Sequence, residues 1–206
     1  MDIKRCVAGV CATNCYLISG NDFAIIIDPA ENDDVIIDFA LKNADKPNKA
    51  ILLTHCHFDH IGGVEAVKGI WNCDIVIGEY EADGLKNPNV NFSAMWGNRS
   101  MSIDADVKVR DGQILNFGEF TAKVFHTPGH TLGSVCYLVD DILFSGDTLF
   151  NLSIGRTDLP TGSFDTEIKS LKRLMLLDNA TRVLSGHGDE TTIGYERTNN
   201  PYINKN

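Results

Sequence analysis

Runs of consecutive apolar residues alternate along this chain with segments in which apolar residues return every third or fourth position. Phe23-Ala24-Ile25-Ile26-Ile27 is apolar throughout and ends at Asp28-Pro29, the pattern of a strand buried on both faces and stopped by a turn. Residues 33–43 carry Val35, Ile36, Phe39 and Ala40 at helical spacing. A second buried strand is expected at residues 50–53, a helix at residues 61–71 in spite of Gly62 and Gly63, and a short strand at residues 74–77. Residues 79–101 contain Gly84, Pro88, Gly97 and several Asn. A helix fragment and then a long loop are expected there, and loops of that length are uncommon unless they cover a site.

Further on, Asp111-Gly112 is a hairpin-type signal ahead of strands at residues 114–117 and 120–125. Asp140-Asp141 separates two more runs, residues 134–139 and 142–144, as a second hairpin. The clearest helix opens at Ser163-Phe164-Asp165-Thr166-Glu167, with a Ser or Asp cap before the stripe Ile168, Leu171, Leu174, Met175, and closes near Asp178-Asn179. A last strand at residues 181–184 leads into Ser185-Gly186-His187. This mixture of strand runs and strand–helix alternation predicts an α/β (α+β) architecture of sheets covered by helices, in one domain over residues 1–206.

Composition narrows the partners. A formal net charge of −10 argues against nucleic acid, which selects basic surfaces that can displace counterions. No run approaches the roughly 18 consecutive apolar residues of a membrane span, and the stretch after Met1-Asp2-Ile3-Lys4-Arg5 is too short for a signal peptide's apolar region. A cytoplasmic protein is therefore expected. Its six cysteines, at positions 6, 11, 15, 56, 73 and 136, form no C-x-x-C pair, so reduced and mostly buried thiols are expected, with Cys11 and Cys15 structural.

The chemistry concentrates at Thr54-His55-Cys56-His57-Phe58-Asp59-His60, where three of the six histidines fall within six residues. In extended backbone, residues two apart share a face, so His55, His57 and Asp59 can converge while His60, at the turn into a helix, points elsewhere and can serve a second metal. Imidazole and carboxylate suit zinc, iron or manganese. A lone histidine at a strand end is more often satisfied by hydrogen bonds, but packing gives no reason to gather three around an Asp. His126 and His130 bracket Thr127-Pro128-Gly129, Asp147 closes an apolar run in Gly146-Asp147-Thr148, and His187 lies in Gly186-His187-Gly188. Each sits where a strand runs out into small residues, as a composite metal site requires.

These motifs, in this order, resemble those of the metallo-β-lactamase superfamily. Asn14-Cys15-Tyr16-Leu17 and the strand ending at Asp28-Pro29 also look like that family's N-terminal strands. The resemblance implies a four-layer αββα sandwich with a two-metal site at one edge, the metals most often zinc, with iron or manganese as alternatives. It assigns His55, His57 and His130 to one metal, Asp59, His60 and His187 to the other, and Asp147 to both. Asp59 then also orients the attacking hydroxide, and His126 is a hydrogen-bonded neighbour that does not coordinate. By strand alternation Cys56 is expected to face away from the ligands and to pack.

The presence of both His60 and Asp147 looks like glyoxalase II more than like the β-lactamases of this fold, which tend to differ at one of these positions. Residues 153–160, 191–197 and Asn200-Pro201 resemble the short bacterial type II glyoxalases. The activity so implied is hydrolysis of a small-molecule thioester of the S-lactoylglutathione type. Classical glyoxalase II has a C-terminal helical segment toward glutathione, which is not expected in a chain ending at Asn206. Arg156 becomes the candidate contact to the thiol carrier, with pairing to Asp158 or a backbone carbonyl as its structural alternative. The competing readings are a mononuclear iron persulfide dioxygenase, built on two histidines and a carboxylate, and a non-catalytic metal or redox module.

Overall fold

A computed structural model describes residues 1–97 and 99–203. Two six-stranded sheets lie face to face, each backed by helices. The first sheet holds β1 (Asp2–Ala8), β2 (Thr13–Ser19), β3 (Phe23–Ile27), β4 (Asn48–Leu52), β5 (Asp74–Gly78) and β6 (Val107–Val109) in that spatial order. Between its strands run α1 (Asp34–Lys42), α2 (Phe58–Ile61), α3 (Val64–Trp71) and α4 (Ala82–Leu85). The second sheet comprises β7 (Ile114–Phe117), β8 (Phe120–His126), β9 (Val135–Val139), β10 (Ile142–Gly146), β13 (Arg182–Ser185) and β14 (Thr191–Thr192), in the order β14-β13-β10-β9-β8-β7. A small ribbon, β11 (Leu149–Phe150) with β12 (Ser153–Ile154), and the helices α5 (Phe164–Leu174) and α6 (Ile193–Asn199) complete the chain.

The continuous apolar strands are explained by burial on both faces. In β3, Phe23, Ile25 and Ile27 enter the core between the sheets, while Ala24 and Ile26 face α1 and α3. β10 divides the same way, Ile142 and Phe144 inward and Leu143 toward α5 and α6. The period of two thus feeds three apolar layers between four structural layers, the αββα sandwich that the resemblance implies.

Local chemistry sets the helix ends. Asp33 caps α1 by accepting from the Val35 N–H at 2.8 Å, and Asn72 ends α3 in the left-handed conformation at φ 45°. The helix expected at residues 61–71 is interrupted at Gly62-Gly63, which press against the β3–α1 connection. A Cβ on Gly62 would stand 2.4 Å from the Ala30 carbonyl oxygen, and one on Gly63 equally close to that of Glu31. α5 stops at Leu174, short of Asp178-Asn179, because the chain leaves the helix in successive turns after Met175. Asp111-Gly112 is not a hairpin. It carries the chain from β6 in one sheet to β7 in the other, and the hairpin turn is Gly118-Glu119, with Phe117 opposite Phe120.

Along one edge the two sheets are pinned together. Asn14 N–H donates to the Gly186 carbonyl at 2.7 Å, and its side-chain amide donates to the Ser185 and Gly188 carbonyls, each at 2.9 Å. Tyr16 Oη donates to Ser185 O, Tyr137 Oη to Leu53 O, and Val135 N–H to Thr54 O. These bonds tie the C-terminal end of β13 to β2 and that of β4 to β9, each across the two sheets. Asn14→Ala removes two hydrogen bonds between the sheets, while Ser185 O keeps the Tyr16 hydroxyl and Gly188 O keeps Arg5, and is expected to lower the unfolding free energy by about 1 kcal/mol. Urea titration of the metal-free protein checks this, and an unchanged midpoint would show that the pin is dispensable.

Candidate metal centre

The pinned edge is where the chemistry-bearing residues meet. His55 and His57 follow β4, Asp59 and His60 lie in α2, His130 follows β8, Asp147 follows β10 and His187 follows β13. Three overlapping groups form, each with ligand atoms within 4.8 Å of one another: His55, His57 and His130; His55, His60 and Asp147; and Asp59, His60 and His187. Asp147 spans the sets. Its Oδ1 lies 3.3 Å from His60 Nε2, and its Oδ2 lies 3.6 Å from His130 Nε2 and 3.5 Å from His187 Nε2. Asp59 Oδ2 approaches His187 Nε2 at 3.4 Å.

One expectation needs correcting. Asp59 does not share a face with His55 and His57 by strand alternation, because the backbone turns into α2 directly after His57. The helical turn carries Asp59 and His60 together toward His187, whereas His55 and His57 turn toward His130.

Three of the imidazoles are aimed by their far nitrogens. His130 Nδ1–H donates to the Arg156 carbonyl at 2.8 Å, leaving the Nε2 lone pair toward the centre. His60 Nδ1 lies 2.9 Å from Asp28 Oδ2, and His55 Nδ1 lies 3.1 Å from Thr54 Oγ1. Thr13 Oγ1 donates to Asp59 Oδ2 at 3.1 Å. Buried carboxylates steady the loops behind these ligands. Asp28 accepts from Thr54 N–H, Glu81 from the N–H groups of Cys56 and Gly133, and Glu167 from His130 N–H. Gly129, at φ 150°, is required here, since a Cβ would fall 2.1 Å from Glu167 Oε2.

The donor set fits cations. His55 Nε2, His60 Nε2 and Asp147 Oδ1 are buried without a hydrogen-bond partner, although buried polar atoms nearly always have one. His57 Nδ1 and His130 Nε2 face each other at 2.9 Å, an approach that needs a proton or a cation between two lone pairs. Burial, then the neighbouring imidazoles, push His55 well below the usual imidazole range, and burial with His130 lowers His57 to about 3. For His60 burial opposes the charge, but Asp147, Asp59 and Asp28 overcome it and raise the group well above its ordinary value. Hydrogen bonds to Asp147 and Asp59 likewise outweigh burial at His187, raised to about 10. Without metal, two imidazoliums therefore balance Asp59 and Asp147.

His126 stays outside these groups. It closes β8, lies 3.0 Å from Leu132 O through Nε2 and stacks near Tyr80. Cys56 is buried beneath Glu81 and Gly84, as expected of a packing residue. Five of the six cysteines are buried and all six are free. Cys11 is exposed and lines the metal cavity beside Asp59, a position that no local pattern in the sequence marks. Arg156 lines that cavity too, its guanidinium held by Asp158 through Nε at 2.8 Å and Nη2 at 2.9 Å. Asp28, Glu81 and Glu167 were not singled out from the sequence. A carboxylate in an apolar stretch, as Asp28 is after β3, is the one signal that could have found them.

Residues 8–187 match the family model of the metallo-beta-lactamase superfamily. The chain belongs to that family. It is 36% identical over 208 residues to the probable metallo-hydrolase YqgX of Bacillus subtilis, covering 99% of this chain and 98% of that protein. It is 32% identical to hydroxyacylglutathione hydrolase GloC of Haemophilus influenzae, covering 93% and 92%. Among solved structures it resembles that of BLEG-1 B3 metallo-beta-lactamase, with a TM-score of 0.90 and 37% identity over 98% of this chain and 100% of the other. The family fold and these His/Asp groups together imply divalent metals.

Asp147→Ala is expected to cost most of the bound metal and to lower activity by orders of magnitude, whereas His126→Ala keeps its metal. Elemental analysis of purified variants decides, and normal stoichiometry in Asp147→Ala would defeat the shared-ligand assignment. Metal uptake should also release protons, because the raised His60 and His187 must be deprotonated to coordinate. Affinity therefore falls with acidification. Binding enthalpies that do not change with the buffer's ionisation enthalpy would contradict this.

Proposed function

We propose that the chain is a dinuclear metal-dependent hydrolase that cleaves thioesters of the hydroxyacylglutathione type. The observation that carries this reading is Asp147 between two complete triads, His55–His57–His130 and Asp59–His60–His187. The likeness to GloC along most of both chains supports the thioester as substrate. These residues would hold divalent cations, zinc foremost, which would supply a water of lowered pKa and a Lewis acid for a carbonyl oxygen.

The chain's own residues supply orientation and shelter. Asp59, steadied by Thr13, points a carboxylate into the cavity of about 640 Å³ and can orient the attacking water. Phe92, Phe150, Ile154 and Leu159 give that cavity apolar walls. The departing thiolate needs no strong acid, its pKa being about 8.5. Neither Cys56, buried away from the ligands, nor Cys11, whose thiol is raised first by burial and then by Asp59, is suited to act as nucleophile.

Arg156 is the proposed contact for an anionic group on the carrier, reached by exchanging or sharing Asp158. Its carbonyl, which holds His130, is unaffected by truncating the side chain. Arg156→Ala should raise KM for S-lactoylglutathione severalfold with kcat nearly kept, and should spare the S-lactoyl thioester of an uncharged thiol. Equal losses on both would make Arg156 structural.

The likeness to BLEG-1 favours a second reading, β-lactam hydrolysis. Assaying metal-loaded protein on S-lactoylglutathione and on a chromogenic β-lactam separates the two. Turnover of the lactam alone would overturn the thioesterase reading, and oxygen uptake with a persulfide would replace both.

A further inference from the structure

A second cavity, of about 600 Å³, opens beside the metal cavity and is not used by the reading above. Val10, Phe58, Asp59 and Trp96 line both, so a single wall ending at a proposed metal ligand joins them. The groove lies between the turn after β1, the start of α3 and the loop that follows α4. Its sides are apolar at Ala66 and Met101 as well as at the shared residues. Val10 is 81% exposed and Trp96 47% exposed, an unusual state for large apolar side chains beside a reactive centre.

Its charge does not favour an anion. Among the described residues lining it, Glu31 and Glu65 face one cation, Arg99, whose guanidinium lies 2.6 Å from Glu65 and is spent on that pair. The metal cavity, in contrast, offers Arg156. A thioester has two arms that leave the reacting carbonyl in different directions, and the two cavities meet at Asp59.

We infer that the groove formed by Val10, Phe58, Ala66 and Trp96 binds the acyl arm of the substrate, and that this arm is an uncharged apolar chain longer than lactoyl. The inference rests on the thioesterase reading and assigns the carrier arm to the Arg156 side. Covering Val10 and Trp96 removes apolar surface from water, and the carboxylates at the rim reject a negatively charged acyl group by repulsion and by leaving it without a partner.

The test uses thioesters of one uncharged thiol, N-acetylcysteamine, carrying acetyl, butyryl, hexanoyl or succinyl groups, with S-lactoylglutathione alongside. Wild-type protein is loaded in turn with zinc, manganese and iron, and metal content is measured on each preparation. We expect kcat/KM to rise by about two- to fourfold per added methylene and succinyl to fall roughly tenfold below butyryl. Ala66→Phe, which narrows the groove from α3, should lower the hexanoyl-to-acetyl ratio roughly tenfold. Glu65→Lys should narrow the gap between succinyl and butyryl. Trp96→Ala, at an exposed position, should lower the same hexanoyl-to-acetyl ratio and serves if Ala66→Phe does not fold. Hydrolysis of none of these esters in any metal form would sink the thioesterase reading. Hydrolysis without chain-length dependence, or with a ratio that neither variant changes, would overturn the groove assignment alone.

Discussion

The centre depends on an electrostatic conflict between facing imidazole nitrogens, which only a proton or a cation between them resolves. Rings of His55, His57 and His130 stand with centroids 4.7 Å apart, and His55 and His60 are closer still at 4.2 Å. His55 and His60 are sealed from bulk solvent. Such a set is costly when unliganded, since buried polar atoms without partners destabilise by about 1–3 kcal/mol each. The surrounding fold is arranged to withstand that cost, with sheet edges and buried carboxylates holding segments that would otherwise spread apart.

That reinforcement is distributed by distance along the chain. Asp28 ties the end of β3 to Thr54, Glu81 ties the loop after β5 to both Cys56 and Gly133, and Glu167 ties α5 to His130. Each carboxylate accepts from backbone, so what it fixes is the path of a loop and, through the path, the direction of an imidazole. Glu167 is raised to about 9, first by burial and further by Asp147, with the His130 N–H opposing.

Much of the sandwich was legible because its strands are buried on two faces and so read as unbroken apolar runs, as β3 and β10 do. The grouping of these side chains was legible because histidine has few structural reasons to cluster. Other features depend on tertiary contact. Nothing local distinguishes Asp111-Gly112, which joins two sheets, from a hairpin turn. The break at Gly62-Gly63 follows from a loop that is distant in sequence until the chain folds. Asp59 was placed on the wrong face because the spacing of two was applied one residue too far, past the point at which the backbone becomes helical. Glu81 and Glu167 look like ordinary surface acids until burial is known, and Arg156 lines the cavity with its guanidinium held by Asp158, the pairing its near neighbour in sequence already offers.

Position 156 divides its duties between main chain and side chain. The carbonyl that orients His130 is common to all twenty amino acids, whereas the guanidinium facing the cavity belongs to arginine alone. Mutation can therefore exchange the side chain repeatedly without disturbing the ligand behind it. Over a lineage, the side chain at this point of the cavity wall is free to drift while the histidine behind it keeps its aim.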